Sequence, residues 1–536
     1  LPPTPTIQRR FLYVAVFAAG VTTLAVELSA SRLLGSVFGT SNLVWANIIG
    51  LILLYLAIGY FLGGRWADRS PRYLTFYRIL TWAAFLSGLA PLIARPVLAA
   101  AAGAVAELDA GVAVGSFVVV LVLFAAPVTL LGCISPFAIR LAISEVSAAG
   151  GTAGRLYAIS TLGGLIGTFG PVLVLIPQVG TTRTFLIFAG ALMLVGFAGL
   201  GVYSRPAALQ LLWMPIVLIA LALAVLEGPL KPPPPKTTLL YERDSAYNYI
   251  QVVEVNDPED PEYRTRYLLL NEGQGIHSEW HPTRAITGGT WDFFLAAPYF
   301  NPAPFDPECV RRDGLALIGL AAGTVARQYT TVYGDIPIDG IEIDPGVVRA
   351  GRLFFEMNQP NLSVIVEDGR LALAHSPHTY AVVGIDAYRV PYVPWQLTTR
   401  EFFAQVHAHL TPDGVTIINV GRTQTDRHLV EALTATMLTV FPSVHTLDVP
   451  RSFNTLLVGT VQPTQAHNLT ANLTAMEEAA EAPHPVLYAA LSQAVEALVP
   501  TAASDLILTD DHAPVESIVD SLVINFYLQA GQEALE

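Results

Sequence analysis

Apolar residues run in long unbroken blocks through the first 230 positions and in short alternating segments after them. The blocks cover 11–34, 42–63, 74–94, 111–132, 156–177, 184–203 and 208–227. Each is near the ~20 residues that a helix needs to cross ~30 Å of hydrocarbon. The pattern predicts a domain of about seven transmembrane helices over 1–230. The first block follows Arg9 and Arg10 without a small-residue cleavage site, so it reads as an anchor. Glycines 154, 163, 164, 167 and 170 crowd the fifth block, a spacing that lets helices approach closely. Lys231-Pro-Pro-Pro-Pro-Lys236 then predicts a stiff, extended linker over 231–236.

Past the linker the period shortens. Tyr247 to Val255 and Arg266 to Asn271 are β-rich runs around a polar turn at 256–262, which predicts a small antiparallel β subdomain over 237–300. A helix is expected at 284–299. From 301 to 536 the chain alternates. Strands are predicted at 315–319, 338–344, 362–366, 380–385 and 415–420, and helices at 323–329, 345–356 and 398–410. That alternation gives a doubly wound α/β sheet, a Rossmann-like domain, and ligands of such sheets bind at the carboxyl ends of the strands.

Composition sharpens the division. Charged residues are 13% of the chain and hydrophobic ones 53%, against ~25% charged in soluble proteins. Residues 1–236 hold 14 basic and 6 acidic side chains, and the remaining 300 hold 15 and 37. So acidic a second half repels phosphate backbones, and nucleic acid is excluded as a partner. The expected partners are the lipid bilayer and a small molecule. The exposed faces of the helices would serve further copies or subunits of a membrane complex. The expected location is a cell membrane, crossed several times. Arginines crowd the N-terminus and the even-numbered loops, which places the N-terminus inside and the acidic half outside. His277 and His281 lack a third ligand at metal spacing, and no metal is expected.

The expected strand ends carry the chemistry. The first leads into Gly319-Leu-Ala-Ala-Gly323, the second into Glu342-Ile-Asp344-Pro345, the third into Glu367-Asp368-Gly369-Arg370 and the fourth into Asp386-Ala-Tyr388-Arg389. A glycine turn at a helix start lets a ligand approach the backbone. An acid about 20 residues further on commonly holds ribose hydroxyls. The set fits a nucleoside without phosphates.

These segments resemble the spermidine synthase (polyamine aminopropyltransferase) family, in particular its membrane-fused members. The matching stretches are Asn271-Glu-Gly-Gln274-Gly-Ile-His-Ser278, the Gly319–Thr324 turn, Ile341 to Pro345, Glu367 to Arg370, Asp386 to Pro391 and Leu508 to Glu516. The resemblance implies a methyltransferase-type sheet. It also implies transfer from decarboxylated S-adenosylmethionine, or S-adenosylmethionine, to an amine. By position, Glu342 would hold the ribose and Asp368, with Gly369, the adenine. Gly319 and Gly323 would shape the donor turn, and Gln274 would line the aminopropyl side. Asp386 would be the base. Tyr388 and Arg389, in a proline-bounded segment, either line the acceptor side or pack on the sheet edge, and Asp510 and Asp511 either bring acids to that side or cap a helix. The chain departs from the family where Ala322 replaces an acid, where Arg389 follows the base, and where Thr290-Trp291-Asp292 replaces Tyr-His-Glu. These departures leave two other readings: a different S-adenosylmethionine-type transferase, favoured by Arg370 and Arg389, and a non-catalytic membrane subunit. The donor is made in the cytoplasm, which argues for the opposite sidedness to the loop arginines.

Overall fold

A computed structural model of the chain describes residues 5–38, 42–108, 112–143, 145, 149–226, 233–256, 264–271, 275–388, 393–522 and 525. The chain folds into two compact units, one of Leu1–Pro233 with Arg243–Tyr249 and one of Pro234–Glu242 with Ile250–Glu536.

The first unit is helical: α1 (Pro5–Phe38), α2 (Asn42–Arg69), α3 (Tyr73–Leu108), α4 (Val112–Ala142), α5 (Ala149–Phe169), the single turn α6 (Ile176–Val179), α7 (Thr181–Tyr203), α8 (Arg205–Leu211) and α9 (Trp213–Leu226). Seven segments among the described residues are long and apolar enough to cross a membrane: Gln8–Gly35, Val44–Arg69, Tyr73–Ala94, Gly115–Ala142, Ala149–Val179, Thr181–Tyr203 and Arg205–Ala224. They correspond to the seven blocks of the sequence. A wide π-helical stretch, Gly170–Leu175, joins α5 to α6. Pro171 lacks an amide hydrogen and cannot continue the regular ladder there. Gly163 and Gly167 face the backbone of α1 so closely that a Cβ would collide with the carbonyl oxygens of Phe17 and Val21, whereas Gly154 faces open space. Arg32 donates to the carbonyls of Tyr247, at 3.0 Å, and Ser245, both of which belong to this unit.

The second unit begins with a turn, in which Thr237 donates through its amide and its hydroxyl to the Pro234 carbonyl. The chain is therefore bent at 234–237, where an extended spacer was expected; residues 231 and 232 of that linker lie outside the described residues. Four strands, β1 (Thr238–Asp244), β2 (Tyr249–Asn256), β3 (Arg264–Leu270) and β4 (Ile276–Trp280), form an antiparallel sheet in sequential order. The expected α-helix at 284–299 is a 3-10 helix, Thr290–Phe300. Phe293 to Phe300 belong to the core of the following domain, packed with Leu315, Leu317 and Val382.

That domain holds a mixed eight-stranded sheet, whose strands are β5 (Leu315–Ile318), β6 (Ile338–Ile341), β7 (Leu362–Ile365), β8 (Tyr380–Ile385), β9 (Leu410–Gly421), β10 (Ser443–Asp448), β11 (Asn454–Thr460) and β12 (Leu498–Val499). Its order is β12-β10-β11-β9-β8-β5-β6-β7. The five strands β7, β6, β5, β8 and β9 are parallel, and β11 lies antiparallel against β9. Every residue of β5 and β8 is buried, as covered parallel strands require. The helices are α10 (Glu308–Asp313), α11 (Thr324–Tyr333), α12 (Pro345–Phe354), α13 (Gly369–His375), α14 (Arg400–Ala408), α15 (His428–Leu438), α16 (His467–Glu477) and α17 (Pro485–Glu496). The expected turn Thr411-Pro-Asp-Gly414 is an excursion within β9: pairing with β8 passes from Tyr380↔Leu410 directly to Val382↔Val415.

Candidate active site

The sheet order makes a topological switch between β5 and β8. After β5 the chain moves outward through β6 and β7, then returns to place β8 on the other side of β5. In open α/β sheets, ligands bind outside the carboxyl ends of the strands at such a switch point. Glu342 and Asp386 follow β6 and β8 directly, Asp368 comes three residues after the end of β7, and the Gly319–Gly323 turn follows β5. The structure thus brings these sequence-predicted groups to one end of one sheet.

The turn lies tight against the next strand end. Gly319 has φ +89°. A Cβ there would lie 2.5 Å from Ala387 N and from the Asp386 carbonyl carbon and oxygen. The Asp386 amide donates to the Ile318 carbonyl at 2.8 Å. Gly323, at φ +88°, is the left-handed N-cap of α11. Between them Ala321 has φ +49°, a left-handed conformation uncommon for a residue with a side chain. That twist aims its amide at Glu342 Oε2, 3.0 Å away.

Glu342 also accepts from the Asp344 amide through Oε1 at 3.0 Å. Burial pushes its carboxyl up to about 7, against the pull of these amide donors. Each carboxylate oxygen has a further lone pair for a ligand donor. The next residue, Ile343, is 39% exposed. Asp344, two residues on, is fully buried and caps α12 by accepting from Gly346 N at 2.8 Å. Asp368 is the N-cap of α13, its Oδ1 accepting from the Arg370 and Leu371 amides at 3.1 Å. Gly369 packs against Ile318, whose Cγ2 occupies the place a Cβ would take.

Asp386 is held at both oxygens. Trp291 Nε1 donates to Oδ2 at 3.1 Å, and Asn419 Nδ2 donates to Oδ1 at 2.9 Å. Burial raises its carboxyl to about 6. Tyr388 follows it in the chain; burial first, and the Asp386 charge second, push its phenol well above the usual value.

Asp510 is tied up in the structure. Arg370 binds it in a two-pronged pair, 2.7 Å at each oxygen, and Thr399 Oγ1 donates to its Oδ1 at 2.7 Å. Its carboxyl is lowered chiefly by the Arg370 hydrogen bonds. This pair also neutralises Arg370, one of the two arginines that favoured an anionic acceptor. Asp511 is exposed in the adjoining turn. Gln274 and Arg389 lie outside the described residues. Ala322 is buried, and its amide donates to Ser278 Oγ at 2.9 Å.

Residues 318–470 match the family described as the spermine/spermidine synthase domain. This segment is a spermidine synthase-type domain. Over 222 residues the chain is 33% identical to a probable polyamine aminopropyl transferase of Bifidobacterium longum (strain NCC 2705), a match that covers 41% of this chain and 46% of that protein. The chain therefore spans about half the length of that relative. Over 244 residues it is 27% identical to a polyamine aminopropyltransferase of Vibrio vulnificus (strain CMCP6), covering 44% of this chain and 76% of the other. Among solved structures, a probable spermidine synthase from Corynebacterium glutamicum ATCC 13032 aligns at 19% identity with TM-score 0.38, over 48% of this chain and 95% of that one.

The site contains two groups that sequence reasoning did not assign. Trp291 was visible only as a departure from the family pattern, and Asn419 was not singled out. They are 95 and 33 positions away from Asp386, and no local spacing signals pairings of that kind.

Proposed function

We propose that the chain is a membrane-anchored aminopropyltransferase. It joins an amine to the aminopropyl group of decarboxylated S-adenosylmethionine. The observation that carries the proposal is the pairing of Glu342 and Asp386 at strand ends on opposite flanks of β5 in a synthase-type domain. Glu342, oriented by Ala321 N and Asp344 N, binds the ribose hydroxyls. The exposed side chain of Ile343 offers the purine ring an apolar surface. Asp386 faces the acceptor.

The chemistry is a single displacement. The lone pair of a neutral amine attacks the carbon beside the sulfonium sulfur. A C–N bond forms, the C–S bond breaks, and the electron pair returns to sulfur, so that methylthioadenosine leaves uncharged. The new secondary ammonium gives its surplus proton to the Asp386 carboxylate. With its carboxyl at about 6, Asp386 is ionised at neutral pH and near enough to it to exchange protons readily. Holding both reactants in line supplies much of the acceleration.

Calorimetry on the full chain in detergent tests the reading. Decarboxylated S-adenosylmethionine and methylthioadenosine are expected to bind, and mass spectrometry is expected to find an aminopropylated product with one member of a diamine panel. Absence of heat with these two nucleosides and with S-adenosylmethionine would refute it.

A further inference from the structure

We infer that Trp291 and Asn419 are positioning residues for Asp386, which together fix the direction in which its carboxylate meets the acceptor. The inference rests on the proposed reading of the site and deepens it.

The two donors reach Asp386 from different elements. Trp291 comes from the 3-10 helix and takes Oδ2; Asn419 comes from β9 and takes Oδ1. With both oxygens held, rotation of the carboxylate would break one bond or the other. An indole N–H donates and never accepts, so Trp291 supports the ionised carboxylate without competing for the proton it receives. Asn419 is 6% exposed, and its Oδ1 has no hydrogen-bond partner among the described residues. A buried acceptor left unmatched is unfavourable. Turning the amide over would set its oxygen against Asp386 Oδ1, so the carboxylate fixes the amide as much as the amide fixes the carboxylate.

Trp291 is itself braced. Its neighbour Asp292 is fully buried and accepts from Thr287 N at 3.0 Å, Thr287 Oγ1 at 2.9 Å, Gly288 N at 2.6 Å and Gln328 Nε2 at 2.5 Å. On the other side, Thr290 Oγ1 accepts from Asn454 Nδ2 at 3.0 Å. The indole is thus carried on a segment anchored to α11 and β11.

Among the described residues, the groups recorded at Asp386 are as follows. The 3-10 helix presents Trp291, with Asp292 turned into its own hydrogen bonds. Strand β9 presents the uncharged Asn419, and the Ile318 carbonyl of β5 accepts from the Asp386 amide. Tyr388 is the titratable group whose phenol interacts with the Asp386 charge. Trp291 and Asn419 are uncharged, so removing either takes a hydrogen bond from Asp386 and leaves the formal charge of the site as it was.

The test follows that titration in the full chain in detergent, by carbon-13 NMR of labelled aspartate, with the signal assigned by its loss in Asp386→Asn. Trp291→Phe keeps an aromatic ring and loses the donor; its Asp386 midpoint is expected to rise by about one pH unit, equivalent to a tenfold weaker hold on the ionised form. Asn419→Leu, on a different element, is expected to raise it similarly, and Trp291→His, which restores an N–H, to recover part of the shift. In a transfer assay the acid limb of kcat/KM should move upward with the midpoint while the KM for the donor stays constant. A midpoint within about 0.2 units of wild type in both Trp291→Phe and Asn419→Leu would overturn the inference. Failure of the wild-type chain to bind any of the nucleosides would instead refute the proposed function, and the NMR titration would still decide the positioning.

Discussion

Replacing Gly319 by alanine probes the close approach of the β5 turn to the end of β8. The residue holds φ +89°, and left-handed backbone costs an L-residue about 1–2 kcal/mol. The new Cβ would also sit 2.5 Å from three main-chain atoms of Asp386 and Ala387, against ~3.5–4.0 Å for carbon atoms at comfortable separation. Main chain cannot rotate out of the way as a side chain can. Overpacking of this kind adds about 1–3 kcal/mol, so the total is about 2–5 kcal/mol. Gly334→Ala supplies the control. It has φ +82° and ψ −155° and nothing within 4 Å of the added Cβ, so it carries a conformational cost of about 1–3 kcal/mol alone. Thermal unfolding of the synthase domain within the full chain, read by near-ultraviolet circular dichroism, compares the two. At about 2–4 °C per kcal/mol for a domain of this size, Gly319→Ala should melt several degrees below Gly334→Ala. It should also weaken nucleoside binding, because the Asp386 amide loses its place on the Ile318 carbonyl. Equal melting temperatures for the two variants would refute the close approach of the β5 turn to the end of β8.

Three further outcomes are expected. Asp386→Asn should abolish transfer and retain methylthioadenosine binding within a few-fold, as measured by calorimetry; loss of both would place Asp386 in the donor site. Since burial raises the Asp386 carboxyl to about 6, the base is ionised above that pH and protonated below it, so kcat/KM should fall tenfold per unit on the acid side of pH 6; a flat profile from 5 to 8 would exclude it as the base. Gly167→Leu should separate α5 from α1, because the added side chain meets the Val21 carbonyl; unchanged thermal stability of the helical unit in detergent would contradict that packing.

The sequence disclosed the fold best where one constraint acted alone. Seven apolar blocks became seven membrane-length helices because the period and length of a buried helix need no partner to be recognised. The strands Leu315–Ile318 and Tyr380–Ile385 were legible for a similar reason: burial on both faces leaves an unbroken apolar run. The region past Gly421 was not, since β11 enters the sheet between β9 and β10, and strand order depends on pairings distant in sequence. The same limit governs the site. Glu342 and Asp386 could be placed by their position after strands, whereas Asp510 looked like a site acid until its pairing with Arg370 was seen. Ile-Glu-Ile-Asp illustrates the difficulty at close range: its first acid holds the amide of the glycine-rich turn and its second is a helix cap.

The switch beside β5 also separates what can vary independently. Glu342 arrives from one flank and Asp386, with the chain that follows it, from the other. On the proposed reading, nucleoside recognition and amine recognition occupy different halves of the molecule's architecture, joined only by a glycine turn. Rewriting the stretch from Tyr388 to Pro394 could therefore redirect the enzyme to a longer, bulkier or less charged amine while leaving its donor untouched.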